Sequence, residues 1–212
     1  VTARNITADL QGDYPWTEDN PLLLTNVKVE TLGGKITMQQ LRMPQHDPAL
    51  LRVDNISSSE LISAVNPKQF AMSGPVSGAL PFWLDNEKWI IKDGWLTNPG
   101  PMTLRIDKDT ADAIVKDNMV AGAAINWLRY MEISRSWTRI NLDNLGELTM
   151  QATIKGTSRV DGKSSSVNLN YTHDENVFTL WRSLRFGDNL QTWFEQHAAI
   201  PGLRSSTGKE SE

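Results

Sequence analysis

Along most of the chain, apolar and polar residues alternate one by one. In residues 102–107, MTLRID, the side chains of Met102, Leu104 and Ile106 oppose Thr103, Arg105 and Asp107. In residues 147–155, ELTMQATIK, Leu148, Met150, Ala152 and Ile154 oppose Glu147, Thr149, Gln151, Thr153 and Lys155. Val167, Leu169 and Tyr171 alternate with Asn168, Asn170 and Thr172, and Ile140 and Leu142 do the same over 139–143. Nearer the start, Val27 and Val29 alternate with Lys28 and Glu30, then Ile36 and Met38 with Thr37 and Gln39. The longest run, 70–80, puts Phe70, Met72, Gly74, Val76, Gly78 and Leu80 on one side. A period of two belongs to a strand with one wet and one dry face. The pattern slips by one residue between Met38 and Leu41, which predicts a bulge at Gln39–Gln40.

Turn residues separate these runs. LGG at 32–34, DG at 93–94, LG at 145–146 and DGK at 161–163 supply positions that tolerate positive φ, and NPGP at 98–101 breaks the chain before Met102. Strands joined by short turns predict an antiparallel meander. Helices are few. SSSE opens one over 57–65 with the capping-box spacing from Ser57 to Glu60, ending before Pro67. A second is expected over 109–116. A third follows from Ala124, Trp127, Leu128 and Met131 at i, i+3, i+4 and i+7. Two amphipathic helices close the chain, one carrying Val177, Leu180, Trp181 and Leu184, the next carrying Leu190, Trp193, Phe194 and His197.

About eight one-faced strands must keep their dry sides from water, since a fully buried aliphatic side chain is worth roughly 1.5–3 kcal/mol. A few short helices cannot cover that much surface. The expected fold is therefore mainly β, a curled or doubled antiparallel sheet over residues 1–200. Residues 201–212, polar and poor in hydrophobes, are expected to be disordered. The interior is filled either by side chains or by a bound apolar ligand.

Composition narrows the function. The net charge of −4 shows no basic stripe, which gives nucleic-acid binding no support, and the absence of cysteine excludes disulfides and thiol catalysis. The longest apolar stretch, MVAGAAINWL at 119–128, is about half of what spans a bilayer. The chain begins within an alternating pattern and without a signal segment, as expected of an excised piece of a longer protein whose targeting signal would lie upstream. His46, His173 and His197 lack ligand spacing, DKDTAD at 107–112 lacks the pattern of a calcium loop, and neither GPVSG nor GTSRVDG fits a serine-nucleophile elbow. No metal, cofactor or catalytic group is expected. Eight tryptophans are many for 212 residues, and Trp89 and Trp95, flanking the expected turn at 93–94, are the pair whose ligand role is least forced by helix packing.

The stretch GALPFWL…WIIKDGWLTNPGPMTLRI resembles a recurrent pattern in the YdbH-like branch of the AsmA-like envelope proteins, carried here by Gly78, Leu80, Pro81, Asp93, Gly94, Pro99 and Gly100. Pro101 and Met102 vary its last part. INWLRYMEISRSWTRINLDNLGELTMQATIKG and VNLNYTHDENVFTLWRSLRFGD are similar to the family's later segments, so the resemblance covers roughly residues 70–190. It implies a curled, taco-like β-groove whose lining lets phospholipid acyl chains slide between membranes, without catalysis. It further implies a periplasmic location in a diderm bacterium, an inner-membrane anchor on the full-length protein, and a C-terminal end near the outer membrane. There a small lipoprotein of the YnbE type is the expected partner, adding strands to an edge. On this resemblance the dry-face residues named above line the groove, and the helices of Val177–Phe186 and Asp188–Ala198 cap it. The same helices could instead meet lipid headgroups through Arg182 and Arg185. The rival expectations are a closed β-sandwich that binds carbohydrate or peptide, and a structural spacer with a filled interior.

Overall fold

A computed structural model describes residues 3–65, 70–107, 129–160 and 162–179. The elements in chain order are β1 (Ala3–Gln11), β2 (Leu22–Thr31), β3 (Gly34–Met43), β4 (Ala49–Ser57), α1 (Ser58–Val65), β5 (Phe70–Ser73) and β6 (Pro75–Phe82). Then come β7 (Trp89–Thr97), β8 (Met102–Ile106), β9 (Tyr130–Asp143), β10 (Glu147–Val160) and β11 (Lys163–Asn176). All eleven strands belong to one sheet in the order β1-β2-β3-β4-β6-β7-β9-β10-β11, with β5 pairing β8 and β8 pairing β9 beside that path. Every pairing is antiparallel. The expected meander is thus present in one open sheet. No second sheet exists among the described residues to make a sandwich, and β1 and β11 do not pair with each other.

The run at 70–80 is not one strand. Gly74 sits at φ +108 between β5 and β6, and a Cβ there would lie 2.6 Å from the Pro101 carbonyl oxygen. The break is matched across the hairpin by residues 98–101, which separate β7 from β8. Gly74 also anchors α1: its carbonyl accepts from the Ser58 amide at 3.0 Å and from the Ser58 hydroxyl at 2.8 Å. Ser57 caps that helix as predicted, its Oγ accepting from the Glu60 amide at 3.3 Å.

Three further expectations change. Asp93–Gly94 is no hairpin turn; it lies inside β7 as an irregularity, with Asp93 at φ +55. Met131 is not on a helix but is the second residue of β9, where its side chain is 0% exposed. Met131 shares a face with buried Ile133, a period of two that the chance spacing from Ala124 and Trp127 concealed. Between Met38 and Leu41 no residue is inserted. The β2–β3 register is the same on both sides, and the opposed residues Asn26 and Gln39 drop out of the pairing. The hairpin turns were read correctly: Leu32 and Gly33 both take positive φ between paired Thr31 and Gly34, and Gly146 and Gly162 do so in the last two hairpins. The helix predicted from Val177 starts there, with the Asn176 side chain accepting from the Thr179 amide at 2.8 Å. The helices expected at 109–116 and 124–128, the remainder of the C-terminal pair and the tail 201–212 lie outside the described residues.

Asn5, Asn26, Asn55 and Asp93 all hold positive φ within strands, at positions where pairing shifts or lapses. Asn and Asp tolerate this left-handed region better than other side-chain-bearing residues. A neighbouring strand pins each corner. Asn5 Nδ2 donates to Glu30, Asn26 Nδ2 to Asp9 Oδ2 at 2.9 Å, the Asn55 amide to Ser77 Oγ at 2.9 Å, and the Asp93 amide to Asn141 Oδ1 at 2.8 Å. Such irregularities bend strands and increase their local twist.

Gly74→Ala is expected to cost about 1–3 kcal/mol, because both the φ and the space forbid a Cβ. Gly100→Ala, whose Cβ would have its nearest neighbour at 3.5 Å, should be close to neutral. Urea unfolding followed by circular dichroism separates the two.

Candidate apolar face

Cross-strand register carries the dry side of each strand onto that of its neighbour. One row runs Val29–Ile36–Val53–Gly78–Leu96–Thr138–Ala152–Tyr171, from β2 to β11. A second runs Val27–Met38–Leu51–Leu80, and a third Ala49–Phe82–Ile91–Leu142–Leu148. None of these positions is charged, but the register continues the third row from Leu148 to Glu175 at the β11 edge. With strands about 4.8 Å apart, the eight-strand row is roughly 33 Å long. It lies across the strands, so the apolar surface extends from one edge of the sheet toward the other.

The residues expected to line a groove fall on this face in two grades of burial. Met38, Met102 and Ile140 are buried. Val27, Val29, Ile36, Met72, Val76, Leu80, Leu104, Ile106, Leu142, Leu148, Met150, Ile154, Val167 and Leu169 are only half-buried. The side chains of Phe70 and Tyr171 are outside the description, as are Leu180, Trp181, Leu184, Leu190, Trp193 and Phe194 of the expected capping helices. Val177 is half-buried, and its amide donates to the Gly146 carbonyl at 2.8 Å.

Two compact clusters stabilise the face locally. Met38, Leu41 and Ala49 pack with Leu24, Val27, Met43, Leu51 and Phe82. Met102, Met131 and Ile133 pack with Met72, Val76, Leu104, Ile154 and Val167. Leu24, Leu51, Phe82, Met131 and Ile133 were not picked out from the sequence as face residues. A strict period of two loses its phase at each corner, and only the register restores it.

The opposite face is more polar, although Leu50 is exposed there opposite Pro81, and it carries an aromatic pair. Trp95 of β7 and Trp137 of β9 stack with ring centroids 5.0 Å apart and planes 10° from parallel, and Trp137 remains 51% exposed. Beside them Arg139 donates to Asp93, whose carboxyl is held below its usual range chiefly by that hydrogen bond. Trp89 lies under the Lys88 and Lys92 ammonium groups, 4.9 and 4.3 Å from its ring centroid. The two tryptophans singled out at 89 and 95 therefore share β7, not a turn. His46 pairs with Glu18 at 2.7 Å, and among the described residues no group of His, Asp and Glu could hold a metal ion.

The two edges differ. β1 is exposed at all nine residues and has two register shifts against β2. β11 pairs with β10 through fourteen consecutive positions without a shift. No helix among the described residues is long and apolar enough to cross a membrane.

Met131→Ala is expected to cost about 2–5 kcal/mol by opening a cavity in a sealed cluster. Leu169→Ala removes a half-exposed side chain and should cost less than about 1 kcal/mol. Chemical denaturation of both variants checks the contrast.

A family model described as YdbH-like, intermembrane phospholipid transport protein YdbH, matches residues 1–199. The probable phospholipid transport protein YdbH of Escherichia coli (strain K12) is 77% identical over 212 residues, a match that takes in all of this chain and 24% of that protein. The chain thus spans about a quarter of the length of this relative. No solved structure matches it.

Proposed function

The chain belongs to the YdbH-like family, and from that premise we propose that its apolar face is one stretch of a groove along which phospholipid acyl chains pass between the inner and outer membranes. The observation that supports this reading is the set of rows, uncharged from β2 to β10, that cross the strands in register while most of their side chains stay half-buried. A filled spacer would seal such residues. Each methylene leaving a bilayer forfeits about 0.8 kcal/mol unless it meets another apolar surface, so an unbroken row keeps the cost of transit small. Sliding of this kind needs no catalytic group. Met38, Met72, Met102 and Met150 suit a lining that adapts to many chain conformations.

Because the rows run across the strands, the path is entered and left at the sheet edges. Continuity of the groove then requires more strands beyond β1 and β11. β11 is the better acceptor, since its regular register leaves a row of backbone groups in the geometry a new strand needs. We assign this edge to the outer-membrane lipoprotein of the YnbE type. Residues 1–200 form one groove domain in this proposal, in the periplasm near the outer membrane, with the anchor to the inner membrane elsewhere in the full-length protein.

Photo-crosslinking in cells tests the path. A photoreactive residue at Met150 or Leu169 of the full-length protein should capture phospholipid, and one at Gln151 or Asn170, on the other face, should not; equal capture on the two faces rejects the groove. Crosslinkers at Ser166 or Asn168 should trap the lipoprotein while Thr7 and Asp9 do not, and the reverse pattern removes β11 as the docking edge. The double substitution Leu142→Glu and Met150→Glu should lower co-purified phospholipid at least about tenfold without loss of β-structure, since a carboxylate in the row breaks apolar contact.

A further inference from the structure

The polar face of the sheet carries a site that acyl-chain transport does not use. Trp137 is stacked by Trp95 on one side of its indole and is still half-exposed. An indole held parallel to another has lost its freedom to rotate, so a ligand meets a preset flat surface at little entropic cost. On β10 and β11 the residues in register with Trp137 are Thr153 and Asn170, both exposed, with the Thr153 hydroxyl hydrogen-bonded to Asn170 Oδ1 at 3.2 Å. One pleat further along the same face, Arg135 and Lys155 are direct cross-strand partners, and Asn168 continues that row.

Like charges directly opposite one another destabilise a sheet. Arg135 and Lys155 are both exposed, and neither forms an ion pair among the described residues. The pair therefore offers an unneutralised positive site next to an aromatic plane and a floor of amides and a hydroxyl. A pyranose ring stacks its C–H face on an indole, hydroxyls bond to amides, and an acidic substituent answers the two cations. An apolar peptide would find too little apolar area beyond the tryptophans. We propose that Trp137, Arg135, Lys155, Thr153, Asn168 and Asn170 bind an anionic saccharide on the outer face of the sheet. The site stands apart from the groove, and its occupation leaves the lipid path open.

Saturation-transfer difference NMR on the full chain tests this with two probes, trigalacturonate and the uncharged maltotriose. Transfer to the sugar ring protons of trigalacturonate is expected, to fade as salt is raised, and to be lost in Trp137→Ala but kept in Trp137→Phe. The double variant Arg135→Gln and Lys155→Gln should weaken trigalacturonate at least about fivefold and leave maltotriose unchanged. Circular dichroism of each variant ensures that a loss is not unfolding. Absence of transfer to both probes overturns the proposal, as does transfer that survives Trp137→Ala. Capture of a protein by a photo-crosslinker at Thr153, with no saccharide transfer, reassigns the platform to protein docking and equally overturns it. Phospholipid capture at Met150 should be unaffected by all three variants, so failure here is separable from failure of the transport reading.

Discussion

A one-layer sheet that does not close on itself cannot bury all of its apolar side. That constraint governs the rest of this molecule. Among the described elements only α1 and the first residues of a second helix lie outside the sheet, and neither forms a second layer. The chain answers by sealing two small clusters and leaving most of the remaining dry face at intermediate exposure. Exposed apolar surface of this extent invites a binding partner. In this protein the register makes the surface continuous, so a partner with a long flexible hydrocarbon body fits better than one with a fixed shape.

The corners make that surface more than a flat patch. Asn5, Asn26, Asn55 and Asp93 place left-handed residues within strands β1, β2, β4 and β7, and a bond to the next strand holds each in position. Without those bonds a strand with one left-handed residue could exchange register, and a slip of one position would turn the entire dry side outward. The asparagines and the aspartate therefore act in two ways: they bend the strands, and they lock the alignment that keeps the rows uncharged.

Much of this was legible in the sequence because alternation reports directly on strands. The stretches at 102–106, 147–155 and 167–172 lie within β8, β10 and β11, and the turns at Leu32–Gly33, Gly146 and Gly162 fell where glycine marked them. At Gly74 an unbroken alternation hid a real break between β5 and β6. Two other misreadings share one physical origin: at Asp93–Gly94 and between Met38 and Leu41, the residues that signal a turn or an inserted residue were used to kink strands that go on pairing. Local chemistry says that the backbone can take positive φ there; only cross-strand partners decide whether the chain then reverses. Met131 failed differently, because four apolar residues spaced as on a helix extended by accident into a strand. The face was therefore visible in outline, whereas Met131 and Ile133, its tightest point, were not. The Trp95–Trp137 stack was invisible, since it joins residues 42 positions apart in the chain through register alone.

The transverse orientation of the apolar rows separates two dimensions of the structure that are usually tied together. The number of residues in a strand sets how wide the greasy ribbon is, and the number of strands sets how far it reaches. Each additional hairpin would extend the reach by about 9.6 Å and return the chain to the side from which it set out. A protein built on this plan can match a gap of any width by duplicating or deleting hairpins, like a ruler cut at fixed graduations, without redesigning a single cross-section.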